Sequence, residues 1–261
     1  MIWTAIALMS CLVWLYLAFF RGGFWRADIR DASTDVFEPQ VWPPIAAVIP
    51  ARNEADVIGQ SLQSLLAQRY AGELSIIVVD DHSDDGTAAM VRQLTDQTVS
   101  RAVSLLSASA LPAGWTGKLW AIQQGIAHIE RAVDLPEFIL LTDADICYAD
   151  GALTLLVGQA VKDNLVLTSF MAKLRCESAA ERLLIPAFIY FFQMLYPFSW
   201  VARIDKRTAA AAGGCMLIRR SALNNAGGVA AIRSELIDDC SLARNLKQQG
   251  AIWLGLTDRV V

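Results

Sequence analysis

From Ile45 onward the chain alternates short, almost wholly apolar runs with amphipathic stretches, and no other feature narrows the fold as far. Ile45–Ile49 reads as a strand stopped by Pro50. Asn53 then stands as the N-cap of a helix with Val57, Ile58, Leu62, Leu65 and Leu66 on one face. Ile76–Val79 is β-branched throughout and reads as a second strand, followed by a helix over residues 86–97. Leu119, Ile122, Ile126, Ile129 and Val133 recur three and four apart, a helical stripe. Phe138–Leu141, Leu165–Phe170 and Cys215–Ile218 are further strands, and Ser241–Gln249 is a short helix ended by Gly250. Strands that are continuously apolar are covered on both faces, so the expectation is an α/β domain on a mostly parallel sheet flanked by helices. No internal repeat or low-complexity tract interrupts it.

The 261 residues are 55% hydrophobic and 18% charged, with a mean hydropathy of +0.39. Soluble domains average about 45–50% apolar and about 25% charged, so the excess needs a location. It excludes disorder. Five scattered cysteines, an odd number without a CxxC pair, argue against a disulfide scaffold. A net charge of −4 offers no general attraction to nucleic acid, and no nucleic-acid partner is expected.

Much of the excess lies in Ile2–Phe20, a run without a charge. As a helix rising about 1.5 Å per residue it matches a ~30 Å hydrocarbon core. Arg21, Arg26 and Arg30 follow it, whereas a secretory signal carries its positive charge in front and a small-residue cleavage site behind. Residues 1–21 are therefore expected to form a transmembrane anchor. The positive flank places the rest of the chain on the cytoplasmic face, where unpaired cysteines stay reduced. Asp31–Pro44 contains three prolines and closes a juxtamembrane linker, residues 22–44. The second apolar block, Leu183–Val201, holds Pro186 and Pro197, which argue against a straight spanning helix. Its aromatics suit a membrane-interface position or an apolar acceptor pocket, and a buried helix of the domain is the competing reading.

In open α/β sheets ligands bind beyond the carboxyl ends of the strands. There the first strand runs into Pro50-Ala51-Arg52-Asn53-Glu54, the second into Asp80-Asp81, and Phe138–Leu141 into Thr142-Asp143-Ala144-Asp145. Carboxylates crowded in this way repel one another unless a cation or hydrogen-bond donors offset them. Two carboxylates one residue apart, Asp143 and Asp145, can hold one hard divalent cation, and such a cation neutralises a diphosphate leaving group. Alone the DxD triplet is weak, because turn aspartates are common. Its place after a buried strand and downstream of Asp80-Asp81 strengthens it. Paired aspartates after a strand also occur in response-regulator receivers, but a receiver starts at that strand, and here a strand and helix precede it.

Gly114-Trp115-Thr116-Gly117-Lys118 precedes the striped helix. Pro112 and Leu119 occupy places where a Walker sequence needs Gly and Ser/Thr, which rejects a P-loop. Lys118 at a helix start is either a phosphate-facing cation or a solvated lysine. Gly213-Gly214 allows close approach of backbone to a ligand, or a tight turn. In Glu235-Leu236-Ile237-Asp238-Asp239 one carboxylate can cap the following helix and leave the other as a general base. His82 and His128 form no metal pair.

These residues together resemble the inverting family 2 glycosyltransferases of GT-A fold. The marks are VIPARNE (Val48–Glu54), VVDDHSDDGT (Val78–Thr87), GWTGK (Gly114–Lys118), TDAD (Thr142–Asp145), AAGGCMLIRRSAL (Ala211–Leu223) and IDDCSLAR (Ile237–Arg244). Singly they are weak or moderate, but six in this order are specific. GWTGK together with the anchor is most similar to the hopene-associated glycosyltransferases of hopanoid biosynthesis. The resemblance implies a GT-A domain over residues 45–261, a nucleotide-sugar donor, Mg²⁺ or Mn²⁺, and a membrane lipid acceptor. Pro50, Ala51, Asn53 and Glu54 would line the nucleotide pocket, joined by Lys118, Gly213 and Gly214, with Asp81 on the base. Asp143 and Asp145 would hold the metal. Asp239 would be the catalytic base, with Asp238 standing where relatives carry glutamate. No QxxRW motif is present, which argues against a polymer synthase. Relatives usually continue beyond a last strand like the one before Asp258–Val261, so a truncated C-terminus is expected. Two other classes share these features: a nucleotide-binding membrane protein without turnover, and a nucleotidyltransferase, for which VIPARNE lacks the Gly-rich basic loop.

Overall fold

Hydrophobic stretches too short for helices and flanked by polar turns pair into one seven-stranded sheet in the computed structural model, which describes residues 1–31, 37–97, 101–235 and 237–261. In chain order the strands are β1 (Ile45–Ala51), β2 (Leu74–Asp80), β3 (Ala102–Ser107), β4 (Phe138–Thr142), β5 (Leu167–Met171), β6 (Cys215–Arg219) and β7 (Ile252–Leu256). They lie side by side as β3-β2-β1-β4-β6-β5-β7. β1 to β4 pair in parallel, β7 is parallel to β5, and β6 runs against both its neighbours.

The helices are α1 (Ile2–Phe20), α2 (Ile58–Leu66), α3 (Thr87–Gln97), α4 (Gly117–Ile129), α5 (Ala152–Lys162), α6 (Ala179–Leu195), α7 (Phe198–Val201), α8 (Arg220–Asn225) and α9 (Asp238–Lys247). Alternate residues of each strand feed two separate cores. Ala46 and Val48 of β1 belong to the core shared with α4 and α9, whereas Ile45, Ala47 and Ile49 belong to the core shared with α2, α3 and α5. This period of two, buried on both sides, is why the strand sequences read as unbroken apolar runs. β3 is the exception, an edge strand with serines and no fully buried residue, and it carries no such run.

α4 lies closest to the sheet at Gly125, where a Cβ would come within 2.5 Å of Val48 Cγ1 and 3.3 Å of Val79 Cγ2. Its stripe ends at Ile129; Val133, assigned to it from sequence, lies beyond the helix and is 96% exposed. The expected cap at Asn53 is likewise absent. α2 starts after Val57, which supplies no side-chain cap, because Asn53 is held at φ 56° by the neighbouring loop. α9 starts at Asp238 rather than Ser241, which draws both aspartates into its first turn, where the helix dipole favours negative charge.

None of the α1 residues is buried, and its length and composition suit a bilayer span. Pro186 sits inside α6 without ending it, while Pro197 does separate α6 from α7. A Ser178–Glu181 capping box starts α6, and its side chains satisfy backbone donors at both positions. Within α6 only Gln193 is buried, so the buried-helix reading of Leu183–Val201 does not describe α6, whereas Phe198 and Val201 of α7 belong to the core. Leu183, Leu184, Phe188 and Phe191 are all more than half exposed. Nor is the linker a free tether where it is described. Ile29 and Asp31 hydrogen-bond both sides of Leu256 along β7, and Asp31 also accepts from Thr257. The part of the linker at 32–36 and Leu236 lie outside the described residues.

Adding one methyl at the α4–sheet contact tests this packing. Gly125→Ala is expected to destabilise the domain by about 1–3 kcal/mol, read as a lower urea midpoint with an unchanged m-value.

Candidate active site

Because β1, β2 and β4 are parallel and β6 is reversed, three carboxyl ends and one amino end open on the same edge of the sheet. Between them is a cleft of about 370 Å³, within the usual range for small-molecule sites. Its walls are Pro50, Ala51, Arg52 and Glu54 from the β1 end, Asp81 from β2, Gly117 and Lys118 from α4, and Asp143 to Asp145 from β4.

The Asp81 backbone N–H donates to the Ala51 carbonyl (2.8 Å), which sets its carboxylate beside the cleft. That carboxylate is buried, lies 3.2 Å from the Arg52 guanidinium and contacts the His82 ring. Gly117 is required opposite it, because a Cβ there would stand 2.7 Å from Asp81 Oδ2.

Thr116 caps α4 by accepting from the Leu119 N–H, so the next residues point into the site from a helix N-terminus. Lys118 Nζ lies 2.5 Å from Asp143 Oδ1. Burial acts to lower the Lys118 pKa, but Asp143, and behind it Asp238 and Asp239, outweigh burial and hold the ammonium charged. Across the cleft the Glu54 carboxyl is pushed above its ordinary range, first by burial and then by the charges of Asp145, Asp143 and Asp85. Asp145 is exposed and takes no hydrogen bond or ion pair from any described residue.

This surplus of negative charge is what a cation or a cation–phosphate ligand offsets. Among the described residues no three Asp, Glu, His or Cys side chains are grouped to hold a metal by themselves. Two carboxylates on an open cleft fit the other pattern, in which a hard cation takes its remaining oxygens from substrate phosphates and water. Mg²⁺ and Mn²⁺ both suit that donor set.

On the far side of Lys118 a smaller hollow is lined by Gly213, Asp238 and Asp239. The Gly213 N–H donates to Asp239 Oδ2 (3.1 Å), and the Cys240 N–H donates to Oδ1 (2.6 Å). Asp238 Oδ1 accepts from the Asp239 N–H. Burial raises the Asp239 pKa above the usual carboxylate value; the Cys240 and Gly213 N–H groups oppose it and the Asp238 charge adds to it. Asp239 is therefore a partly shielded, oriented carboxylate with raised basicity, the profile of a proton acceptor.

Of the expected site residues, Pro50, Ala51, Glu54, Asp81, Lys118, Asp143 and Asp145 surround one cleft, and Gly213, Asp238 and Asp239 join it through Lys118. Two stand elsewhere. Asn53 does not line the cleft; its N–H donates to Ser83 Oγ and its Oδ1 accepts from the Asp84 N–H, stitching the β1 and β2 loops together. Gly214 lies behind the β4 end, where its carbonyl accepts from Thr142 Oγ1, itself bonded by the Tyr148 hydroxyl. Sequence reasoning missed Arg52 and the loop stitches of Asp85 and Thr87. Thr87 Oγ1 accepts from the Glu54 N–H, and Asp85 accepts from Ala55 N and from both donors of Thr87. A cation directly after a strand was a legible signal for Arg52. Asp85 and Thr87 had none, because their partners are some thirty residues away.

Residues 43–259 match the family described as glycosyltransferase-like family 2. The chain belongs to this family. It is 27% identical over 246 residues to the probable glycosyltransferase YdaM of Bacillus subtilis, covering 86% of this chain and 53% of that protein. It is 30% identical over 230 residues to an N-acetylglucosaminyltransferase of Neorhizobium galegae, covering 84% and 48%. The chain thus spans about half the length of these relatives. Among solved structures it is similar to the mannosyltransferase PcManGT of Pyrobaculum calidifontis, in complex with GDP-Man and Mn²⁺. That match has a TM-score of 0.68 at 20% identity, over 97% of this chain and 65% of the other. S. aureus TarS 1–349 in complex with UDP-GlcNAc is also similar, with a TM-score of 0.53 at 15% identity, over 81% and 55%. At these identities the likeness is one of fold, and the mixed, mostly parallel sheet is the GT-A arrangement expected from sequence.

The loop stitch is open to test at Asn53, whose left-handed backbone costs an ordinary residue about 1–2 kcal/mol. Asn53→Ala is expected to lower stability by about that amount, and Asn53→Gly, which removes the same side-chain bond but accepts the backbone, by less. Urea unfolding of the two variants separates them.

Proposed function

We propose that the chain is the donor-binding and transfer unit of a membrane-anchored, inverting glycosyltransferase that moves a sugar from a nucleotide-sugar to the hydroxyl of a lipid. The observation that carries this reading is the continuity of two charged sites through one lysine. Lys118 touches Asp143 of the acid-lined cleft and also feels Asp238 and Asp239.

In this reading Pro50, Ala51, Glu54 and Asp81 hold the nucleotide, and the α4 N-terminus with Lys118 faces its diphosphate. Mg²⁺ or Mn²⁺ at Asp143 and Asp145, when bound, neutralises the diphosphate of the leaving group. Asp239 accepts the proton of the acceptor hydroxyl as that oxygen bonds to the anomeric carbon. The bond from that carbon to the diphosphate oxygen breaks, and its electron pair leaves with the nucleoside diphosphate beside Lys118. One displacement inverts the anomeric centre. Asp238 raises the basicity of Asp239 rather than taking the proton. The Gly213 N–H keeps the Asp239 carboxylate aimed at the hollow.

The relatives support the donor class. PcManGT was solved with GDP-Man and TarS with UDP-GlcNAc, so UDP- and GDP-sugars are the donors to try first. α1 supports an anchor at residues 1–21, with residues 22–44 as the juxtamembrane segment and 45–261 as the transfer domain on the cytoplasmic side of a bacterial membrane. A hopanoid-type acceptor is the finer form of this proposal and rests on the likeness of GWTGK and the anchor.

Membranes carrying the full chain, incubated with labelled UDP- and GDP-sugars, provide the test. Asp239→Asn is expected to cut transfer by about 10²–10⁴-fold while nucleotide binding is retained; full activity in that variant sinks the base assignment. Nucleotide binding without transfer by the wild type favours the non-catalytic reading instead. Activity falls as pH drops through the Asp239 pKa, so the acid limb is expected above the usual carboxylate value of about 4. Asp238→Asn removes a like charge and is expected to move that limb to lower pH.

A further inference from the structure

α6 has no polar side. After Glu181 and Arg182 in its first turn the chain carries no charge as far as Val201, and apolar residues recur three and four apart on two separate stripes of the helix. Ile189, Phe192 and Tyr196 make the inner stripe and pack against the core, with Gln193 buried beside them. Leu184, Phe188, Phe191 and Leu195 make the outer stripe and are between 44% and 63% exposed. A surface helix of a soluble domain carries polar residues on that side. One that is apolar all round belongs in a core or in lipid, and no core covers the outer stripe.

Three features point to a lipid surface as the cover. The first is continuity with α1, whose length and composition suit a bilayer span. α1 ends where α6 ends: Arg21 donates to the Met194 and Leu195 carbonyls, at 3.1 and 3.0 Å, and the Phe24 ring meets Tyr190 edge to face at 5.1 Å. The second is that side chains serve the backbone at both ends of α6. Ser178 and Glu181 accept from the first N–H groups, and Arg21 fills two of the last carbonyls. Ends satisfied in this way suit a place where water is scarce. The third is charge. Glu177 and Asp205 are spent on Arg175 and Arg203. At the start of α6 this leaves Arg182, exposed and in no ion pair with a described carboxylate. At the other end Arg21 and Lys206 lie over the Trp200 ring, at 5.0 and 5.2 Å from its centre. Cations beside an indole at the edge of an apolar face match the head-group layer of a membrane with anionic lipid.

The same helix is not built to span. Its 17 residues extend about 25 Å, short of a ~30 Å hydrocarbon core. Its inner stripe is fixed on the domain, and after Pro197 the chain enters α7, whose Phe198 and Val201 lie in the core. A helix held along its length by a folded domain meets a bilayer side-on.

We infer that α6 is a second membrane contact, lying in the plane of the lipid surface with Leu184, Phe188, Phe191 and Leu195 among the acyl chains and Arg182, Arg21 and Lys206 at the phosphates. The inference rests on the anchor reading of α1 and is independent of the transfer reaction. Helices that lie this way sink about 5–10 Å into the boundary between head groups and acyl chains.

The full chain is placed in nanodiscs of phosphatidylcholine with a minor share of phosphatidylglycerol. The discs carry a phosphatidylcholine with a diazirine either next to the acyl carbonyl or at the terminal methyl, and cross-linked residues are mapped by mass spectrometry. The shallow probe is expected to mark the outer stripe of α6 and to spare Ile189, Phe192 and Gln193. The deep probe is expected to mark α6 less than the shallow one, while both mark α1. Phe188→Asp combined with Phe191→Asp, at two exposed positions, should abolish α6 labelling and leave α1 labelling and the unfolding midpoint unchanged. Leu184→Asp, one change at the far end of the stripe, should lower it at that end. Labelling that survives both variants overturns the inference. Equal marking of α6 by both probes, or marking of its inner stripe, does so too. α1 marked with α6 unmarked overturns the α6 contact alone, and two chains per disc in that case give the face to a second copy. Neither helix marked overturns the anchor reading as well.

Discussion

Besides Asp81, which Arg52 pairs, five carboxylates crowd one sheet edge, and the arrangement depends on how their repulsion is met. Glu54, Asp143 and Asp145 face the cleft, while Asp238 and Asp239 stand across from them at the start of α9. Lys118 is the fixed cation between the two groups, and the dipole of α4 adds positive potential from the same direction. One ammonium does not balance this many carboxylates. Burial first, and the neighbouring carboxylate charges after it, raise the Glu54 and Asp239 pKa values. In the proposed reading a divalent cation that arrives with the donor diphosphate offsets this imbalance.

The reversed direction of β6 makes this convergence possible. In an all-parallel sheet the segment before β6 would open on the opposite edge. Here it delivers Gly213 to the ligand edge, and the Gly213 N–H then orients Asp239. The loops on the other side are held with equal care. Asn53, Ser83, Asp85 and Thr87 exchange bonds between the β1 and β2 turns, so this side of the cleft is a cross-braced pair of loops rather than two independent ones. Side chains so braced lose little entropy when a ligand arrives, which is the physical meaning of a preorganised site.

The half that carries α1 and α6 follows a different logic. α6 packs Ile189 and Phe192 against the domain but leaves Leu183, Leu184, Phe188 and Phe191 outward. Arg21, Gly22 and Phe24 clasp its end, so the exit of α1 and the line of α6 are set together. The apolar composition is thus divided between two ordinary cores and two outward-facing helices, and not gathered into one large interior.

Much of this was legible in the chain itself. Apolar runs ending in Asp, Asn and Glu marked the strands and the ligand edge, since strand burial on both faces leaves no polar alternation and ligands sit at carboxyl ends. β3 was hidden because an edge strand needs no continuous apolar run. Pro186 misled because a proline removes one helical bond without always ending the helix. Asn53 looked like a cap because capping and loop-bridging use the same side chain. The sequence by itself determined most element types, the apolar N-terminal helix and the identity of the acidic groups, all of which follow from local periodicity and residue chemistry. Tertiary structure alone decided that β6 is reversed, that Lys118 joins two carboxylate groups, and that Arg21 and Phe24 clasp the end of α6. Each of these depends on contacts between residues far apart in the chain, and no local pattern encodes them.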